Sequence, residues 1–369
     1  MSTAASPGLQ VRIVGTGLIG ASLGMALSRA GFQVSLDDPS PTAVALARDL
    51  GAGVLAGDTA AVPDVVVVAA PPDVVAEVIA AELSRWPDAV VTDAASVKGA
   101  VLTALQDRGV DLSRYVGSHP MAGREKSGAM AAQGDLFKGR SWVVAPGPKA
   151  TAGAIEMVRK IAEAVGSVVL TMTPDEHDAA VAAVSHVPQI AASLVASRLR
   201  DLPSGAVALS GQGIRDVTRI AASDPGMWTQ ILAGNAPAIR GVLELLACEL
   251  DAVLVALRHL ESDPDGGSVG ARAVLARIVA DGNVGRARIP GKHGAAPTTY
   301  ATVIVVVPDE PGALGRLLRD MGEAGVNMED LHLEHEIGQP FGLAELSVLP
   351  AAVQPLIAAL TSLGWPVHE

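Results

Sequence analysis

The feature that most constrains the fold is the stretch GTGLIG at residues 15–20. It follows an apolar segment, LQVRIVG, with the composition of a β-strand, and it opens a segment with helical spacing of apolar residues. Glycines here permit a tight turn and let backbone N–H groups approach a pyrophosphate at a helix N-terminus. The sequence therefore predicts a dinucleotide-binding turn built from Gly15, Gly17, Leu18, Ile19 and Gly20.

An acidic pair follows at the distance that such a turn requires. Asp37 and Asp38 end the next apolar segment, and Asp38 comes 18 residues after Gly20 (38 − 20). A carboxylate at this place accepts hydrogen bonds from the adenine ribose hydroxyls. Because no arginine follows the acids immediately, the sequence favours NAD over NADP as the cofactor.

The element pattern divides the chain into two large parts and a smaller third one. Through residue 172, short apolar segments alternate with helical patterns, which predicts a Rossmann-type parallel sheet with helices on both faces. Residues 173–262 show helical patterns only, and Thr173, Pro174 and Glu176 are the residue types of a helix-starting capping box. This all-helical second domain is expected to bind substrate and to form a homodimer interface.

A change of composition marks the rest of the chain. Residues 263–298 are rich in glycine and proline around a short helical piece at 271–281, which predicts a linker. From 299 to 369 the pattern runs strand, helix, strand, strand, helix, with a short last strand near the end. That order predicts a small ferredoxin-like α+β module.

Composition limits the partners and the location. The net charge is −12 at pH 7, and an acidic chain is a poor binder of nucleic acid or of an anionic membrane. The N-terminus has no signal-peptide pattern, and the apolar run at 65–70 is too short to span a bilayer, so a cytoplasmic protein is expected. The eight histidines are scattered, so no metal site is predicted, and the single Cys248 is expected to be a small buried residue.

Four longer motifs follow the glycine turn in order: VTDAASVKG, GSHPMAGREKSG, VSHVPQIAA and GIRDVTRIAASDPGMW. Together they resemble the prephenate/arogenate dehydrogenases of tyrosine biosynthesis over about residues 10–260. The segment PDEPGALGRLLRDMGEAGVNMEDLHLEH resembles an ACT domain, a module that binds amino acids and regulates enzymes of their metabolism. The resemblance implies an NAD-dependent oxidoreductase that converts prephenate to 4-hydroxyphenylpyruvate. Arogenate as the substrate, or a non-catalytic amino-acid-sensing protein, are the alternatives.

The resemblance also assigns the catalytic residues. His119, in its neutral form, accepts the hydroxyl proton or hydrogen bond of the substrate ring, and Pro120 holds it on an extended backbone at a strand end. Ser96 matches the family position that hydrogen-bonds both the substrate hydroxyl and that histidine. The alternative role of Ser96 is the N-cap of the following helix, which would place Lys98 in the first turn, at the surface or in the site.

The predicted substrate-binding residues lie further along the chain. Arg219 matches the carboxylate-binding arginine of the family, since a guanidinium meets a carboxylate with two parallel hydrogen bonds. Arg215, four residues earlier, adds a second positive charge or pairs with Glu125. His186 is retained from the family pattern His-x-Pro-His, whereas Gln189 replaces its second histidine. Glutamine can donate and accept hydrogen bonds but carries no charge, which leaves the choice between prephenate and arogenate open.

In the C-terminal module, the resemblance places Gly312 and Asn327 where ACT domains bind an amino acid between paired modules. Tyrosine is the expected effector. The alternative is a docking or dimerisation module that binds no ligand.

Overall fold

The structure, a computed structural model, divides into two compact units, Met1–Leu250 and Asp251–Glu369. It describes residues 8–58, 61–123, 128–262, 269–289, 300–335 and 340–368.

An eight-stranded sheet forms the first half of unit one. Its strands are β1 (Gln10–Val14), β2 (Gln33–Asp37), β3 (Val54–Leu55), β4 (Val65–Val68), β5 (Val90–Asp93), β6 (Tyr115–Pro120), β7 (Ser141–Ala145) and β8 (Val168–Thr171). The strand order is β3-β2-β1-β4-β5-β6-β7-β8. This order reverses between β1 and β4, and ligands of such sheets bind at the carboxyl ends of the strands near that point.

Helices cover both faces of this sheet, as the sequence predicts. They are α1 (Leu18–Arg29), α2 (Pro41–Asp49), α3 (Val75–Arg85), α4 (Gly99–Asp107) and α5 (Ala152–Ala164). The central strand β4 shows why: Val65 and Val67 belong to one hydrophobic core, whereas Val66 and Val68 belong to the other. A strand buried on both faces has the continuous apolar composition seen here.

The predicted parallel sheet is observed except at one pair of strands. β6 and β7 pair antiparallel, whereas the other six pairs of the sheet are parallel. A parallel pair needs a crossover connection, usually a helix, between its strands. Among the described residues between β6 and β7, the helical structure is one short 3₁₀ turn, Ala129–Ala131, and the chain returns in the opposite direction.

In the described residues from 174 to 262, all the regular secondary structure is helical. The α-helices are α6 (Pro174–Val181), α7 (Val187–Leu199), α8 (Ser204–Val207), α9 (Gln212–Thr218), α10 (Pro225–Gly234) and α11 (Ala236–Ser262). The capping box is confirmed: the Glu176 backbone N–H donates to Thr173 Oγ1, and Glu176 Oε2 accepts from the Thr173 backbone N–H. Cys248 is exposed on α11, so its predicted burial is wrong within this chain.

A π-helical turn, Ala182–His186, joins α6 to α7. Pro188 lies just after this turn and has no N–H, so the carbonyl four residues before it receives no helical hydrogen bond from it. The Val187 N–H donates instead to the carbonyl of Ala182, five residues back, and the helix continues through the proline. The continuous stretch Pro174–Leu199 is apolar and long enough to span a membrane by length and composition, yet it carries buried polar side chains such as His177 and His186.

Within the predicted linker lies the helix α12 (Val269–Ala287), which is longer than the helical piece expected there. The C-terminal module comprises β9 (Ala301–Pro308), α13 (Ala313–Glu323), β10 (Asp330–His335), β11 (Phe341–Val348), α14 (Val353–Ser362) and β12 (Val367–His368). Its antiparallel sheet has the order β10-β11-β9-β12. The predicted ferredoxin-like topology is confirmed.

Candidate active site

The glycine turn is built for close backbone packing and for an open helix end. Gly15 has φ +97°, and a Cβ placed on it would lie 2.4 Å from the carbonyl oxygen of Ala69. A Cβ on Gly20 would lie 1.8 Å from the carbonyl oxygen of Gly15. A Cβ on Gly17 meets no atom within 4 Å, which leaves space before the first residues of α1, Leu18 and Ile19. Gly15 and Gly20 close the turn, and Gly17 leaves room for a ligand.

The structure distinguishes the two predicted ribose-binding acids. Asp38 Oδ2 accepts hydrogen bonds from the Thr16 backbone N–H (2.6 Å) and hydroxyl (2.9 Å), so this carboxylate lies against the glycine turn. Asp37 instead pairs with the buried Arg12, whose guanidinium also contacts Glu82 at 2.8 Å. The turn, the open N-terminus of α1 and the Asp38 carboxylate fit a dinucleotide, and Asp38 is the better placed acid.

His119 lies at the carboxyl end of β6, as the sequence predicts, and contacts a second histidine. Its Nδ1 lies 2.9 Å from Nε2 of His177, and Nδ1 of His177 lies 2.8 Å from Oδ1 of Asp178. His177 is fully buried in α6. Sequence reasoning missed this histidine, although the adjacent His-Asp pair directly after the capping box was a visible signal.

The surroundings keep His119 neutral. Burial is the main cause that lowers its pKa well below the ordinary value of 6.5, and the nearby His177, Lys98 and His186 lower it further. A neutral imidazole has one nitrogen that accepts a hydrogen bond, whereas an imidazolium has none. His119 therefore has an acceptor nitrogen at neutral pH.

Lys98 is buried and contacts the strand that carries His119, so of the two places left open for it, the surface is wrong. Its side chain is buried, its Nζ contacts Asp93, and the same Nζ donates to the carbonyl oxygen of Ser118 at 2.7 Å. Asp93 also accepts from the Tyr115 hydroxyl at 2.7 Å. Burial lowers the pKa of Lys98, and the charge of Asp93 opposes that effect. Lys98 is buried because the fully buried carboxylate at the end of β5 needs a counter-charge.

The alternative role for Ser96, as a helix N-cap, is wrong. The helix after β5 begins at Gly99, and the N-cap position belongs to Lys98. The cap comes instead from α6 in the helical domain. The Asp178 carboxylate accepts hydrogen bonds from the backbone N–H groups of Lys98 (2.9 Å) and Gly99 (2.8 Å). Ser96 lies half-buried in the loop before this helix, and its predicted contact with substrate stays a prediction.

His186 is buried at the end of the π-helical turn between α6 and α7. Its Nδ1 accepts a hydrogen bond from the Asn235 side-chain amide at 3.1 Å, and its ring meets Trp228 edge-on with centroids 6.1 Å apart. Asn235 also donates to the backbone carbonyl of Asp178 at 2.8 Å, so this amide connects the start of α11 to α6. Burial is the main cause that lowers the pKa of His186. The expected substrate contact of His186 stays a prediction.

The remaining predicted substrate residues lie along α7 and α9. Gln189 is buried in α7, and its side chain lies 3.4 Å from the Ser223 hydroxyl. Arg215 lies in α9 and Arg219 in the 3₁₀ turn that follows, both exposed, and this segment packs against α7. Glu125 lies outside the described residues, so its pairing with Arg215 stays a prediction.

In the C-terminal module, Gly312 precedes α13 with φ +88°, a conformation that suits glycine. The Asn327 side-chain amide donates to Glu329 Oε1 at 3.1 Å. Both residues are exposed, and their role in effector binding stays a prediction.

Comparison with known proteins adds independent findings. Residues 23–171 match the family described as "Prephenate dehydrogenase, nucleotide-binding domain", and residues 173–264 match "Prephenate dehydrogenase, dimerization domain". The chain is 37% identical to "Probable prephenate dehydrogenase NovF" of Streptomyces niveus, over 97% of this chain and 99% of that protein. It is 30% identical to the cyclohexadienyl dehydrogenase of Zymomonas mobilis, over 69% of this chain and 90% of that protein.

A solved structure has a similar fold. The crystal structure of prephenate dehydrogenase from Aquifex aeolicus, in complex with hydroxyphenyl propionate and NAD+, is 29% identical to this chain with a TM-score of 0.63. The match covers 77% of this chain and 99% of the other.

Proposed function

The chain belongs to the prephenate dehydrogenase family, and we propose that it catalyses the NAD-dependent oxidative decarboxylation of prephenate to 4-hydroxyphenylpyruvate. The reaction converts prephenate and NAD+ into 4-hydroxyphenylpyruvate, CO2 and NADH. The observation that carries the proposal is the position of His119 at the carboxyl end of β6, in a sheet whose first turn fits a dinucleotide.

The cofactor fits the glycine turn. Gly15, Gly17 and Gly20 form the turn that opens α1, and Asp38 would accept hydrogen bonds from the adenine ribose of the bound cofactor. NAD, when bound, supplies the acceptor for the hydride that leaves the ring carbon bearing the hydroxyl.

His119 acts on the substrate hydroxyl. It accepts the hydrogen bond of that hydroxyl and so makes the oxygen a better electron donor to the ring carbon as this carbon loses its hydride. Loss of the ring carboxylate as CO2 supplies the electron pair that makes the ring aromatic, and the oxygen keeps its proton in the phenol product. Ser96 donates or accepts a hydrogen bond at the same hydroxyl.

Arginines and polar residues of the helical domain hold the rest of the substrate. Arg219 binds a substrate carboxylate with two parallel hydrogen bonds, and Arg215 adds positive charge near it. His186 and Gln189 lie towards the side chain in which prephenate and arogenate differ. Prephenate is the proposed substrate because the relatives that match most of this chain are named for it.

The C-terminal module is proposed to be an ACT domain that binds tyrosine through residues near Gly312 and Asn327. Support comes from its ferredoxin-like topology and from the logic of feedback in an amino acid pathway. The protein is further proposed to be a cytoplasmic homodimer, in which residues 173–264, matched by the dimerization-domain family, pair with a second copy.

The decisive experiment is NADH formation by the purified protein with NAD and either prephenate or arogenate, each with and without tyrosine. Turnover of prephenate with inhibition by tyrosine is expected. Preference for arogenate would change the substrate and make Gln189 the first residue to vary. Absence of turnover with both substrates would contradict the catalytic proposal and favour an amino-acid sensor.

A further inference from the structure

His177 lies between the proposed catalytic histidine and a carboxylate. Its Nδ1 is 2.8 Å from Asp178 Oδ1, and its Nε2 is 2.9 Å from His119 Nδ1. An ionised carboxylate can only accept a hydrogen bond, so Nδ1 of His177 carries the proton and donates it to Asp178. A neutral His177 then has its lone pair on Nε2, and that nitrogen accepts from His119.

The contact with His177 also determines which nitrogen of His119 carries the proton. Because Nε2 of His177 is the acceptor, Nδ1 of His119 is the donor and carries the ring proton. Nε2 of His119 is left as the nitrogen with the lone pair. That nitrogen makes no hydrogen bond to any residue that the structure describes, so it is the atom able to accept from a substrate hydroxyl.

Asp178 is held so that it stays ionised and aligned. Its carboxylate accepts from the backbone N–H groups of Lys98 and Gly99 at the N-terminus of α4, where the helix dipole favours a negative charge. Burial pushes its pKa upward, but hydrogen bonds from His177, Lys98 and Gly99 outweigh this and hold the pKa below its usual value. The Asn235 side-chain amide, between α10 and α11, donates to the backbone carbonyl of the same residue.

We propose that His177 is a positioning residue: held by Asp178, it fixes His119 in the tautomer that presents Nε2 as the acceptor of the substrate hydroxyl. The inference rests on the proposed function, in which the hydroxyl of prephenate hydrogen-bonds to His119. Without His177, the ring of His119 can carry its proton on Nε2, and such a ring offers a donor where the reaction needs an acceptor.

The direct test is nitrogen NMR of the full-length protein labelled with ¹⁵N at histidine, near neutral pH. The His119 signals are assigned by their loss in His119→Asn. In the wild type, we expect Nδ1 protonated and Nε2 unprotonated; in His177→Phe, we expect Nε2 to become protonated. A wild-type His119 protonated on Nε2 would overturn the inference, whether or not the protein turns over prephenate. Lack of prephenate turnover alone would count against the proposed function only.

Kinetics test whether the effect acts through His119. His177→Phe is expected to lower kcat by at least roughly tenfold with little change in KM for prephenate, since a wrong tautomer impairs catalysis without removing a substrate contact. In the His119→Asn background, adding His177→Phe should cause no further loss. An equal loss in both backgrounds would mean a merely structural role and overturn the inference.

A conservative variant provides a second test in case His177→Phe does not fold. His177→Gln places an amide oxygen where it can accept from His119 Nδ1, and it should recover much of the kcat lost in His177→Phe. If His177→Phe fails to fold, His177→Gln still tests the proposal, because the unprotonated Nε2 of His119 should persist in its NMR spectrum. A protonated Nε2 in a folded His177→Gln would contradict it.

Discussion

At the scale of single residues, the charge state of His119 determines the pH dependence. Its pKa lies well below 6.5 because of burial and of the neighbouring His177, Lys98 and His186. We expect kcat/KM for prephenate to stay level near neutral pH and to fall only below 6.5, as His119 becomes protonated. This acid limb should be absent in the residual activity of His119→Asn. In the wild type, a fall in kcat/KM that begins above pH 6.5 would contradict the assignment of a neutral His119.

The same shift predicts the direction of the stability change. The unfolded chain protonates His119 near its ordinary pKa of 6.5, whereas the folded protein does so only at lower pH. Between these pH values the unfolded state binds more protons, so the free energy of unfolding falls as pH falls. Denaturant titrations at several pH values, with and without His119→Asn, isolate this contribution.

Replacing His119, the proposed hydrogen-bond acceptor, and replacing Arg219, the proposed carboxylate-binding residue, should have different kinetic effects. His119→Asn is expected to lower kcat by about 10²- to 10⁴-fold with a modest change in KM, because the interaction matters most in the transition state. Arg219→Ala is expected mainly to raise KM for prephenate, because it removes a carboxylate contact. Steady-state kinetics of both variants check this; an intact kcat in the first or an unchanged KM in the second contradicts the assigned role.

Two glycines of the turn form a matched pair. Gly17→Ala places a methyl group in open space, so it should leave Tm unchanged and raise KM for NAD roughly tenfold, equivalent to 1.4 kcal/mol. In Gly20→Ala the methyl carbon would meet the carbonyl oxygen of Gly15, which should lower the stability by about 1–3 kcal/mol. Thermal unfolding and NAD kinetics separate them. An unchanged KM in Gly17→Ala would mean that the cofactor does not approach this turn.

At the scale of elements, α6 has a cap of its own and also supplies one to α4. Thr173 and Glu176 cap its first turn at the surface, whereas Asp178 of the same helix caps the N-terminus of α4. The first cap stabilises one helix. The second joins the sheet domain to the helical domain and holds His177.

Thr173→Ala therefore tests stability alone. The loss of the capping hydrogen bonds should lower the free energy of unfolding by about 0.5–2 kcal/mol, with kcat unchanged. Denaturant unfolding and steady-state kinetics measure both quantities. A large drop in kcat would show that the start of α6 is coupled to the site more tightly than its surface position suggests.

At the scale of the whole molecule, α11 carries an apolar stripe that a second copy can cover. Leu246, Leu250, Leu254 and Leu257 recur at helical spacing and are all exposed. Exposed apolar surface of this kind marks protein interfaces, and the helix lies in the region matched by the dimerization-domain family. This stripe is therefore the expected surface for the proposed homodimer.

Leu250→Lys should weaken that dimer, because it places a charge within an apolar contact. Light scattering should give twice the chain mass of 37.4 kDa for the wild type and a concentration-dependent decrease for the variant. His259→Lys, on the opposite side of the same helix, is the control and should stay dimeric. A monomeric wild type would contradict the dimer.

Short sequence patterns predict the local features of the fold. The glycine turn, the strand and helix alternation, the capping box at Thr173 and the place of His119 at a strand end all follow from patterns a few residues long. Such patterns are set by backbone conformation and by apolar periodicity, which neighbouring residues control. The resemblance to known dehydrogenase motifs then supplied the chemistry that local patterns lack.

Contacts between groups that are distant in the chain depend on how the elements pack together. Asp178 caps a helix that begins 79 residues earlier in the chain, and His177 reaches a histidine 58 residues away. Lys98 is buried because the carboxylate of Asp93 lies beside it in the folded sheet. Apolar periodicity shows which face of an element is buried, but it does not identify the partner on which that face packs. The partner depends on how helices pack at the edge of the sheet. That packing brings His119 and His177 within hydrogen-bonding distance, and His177 in turn contacts Asp178.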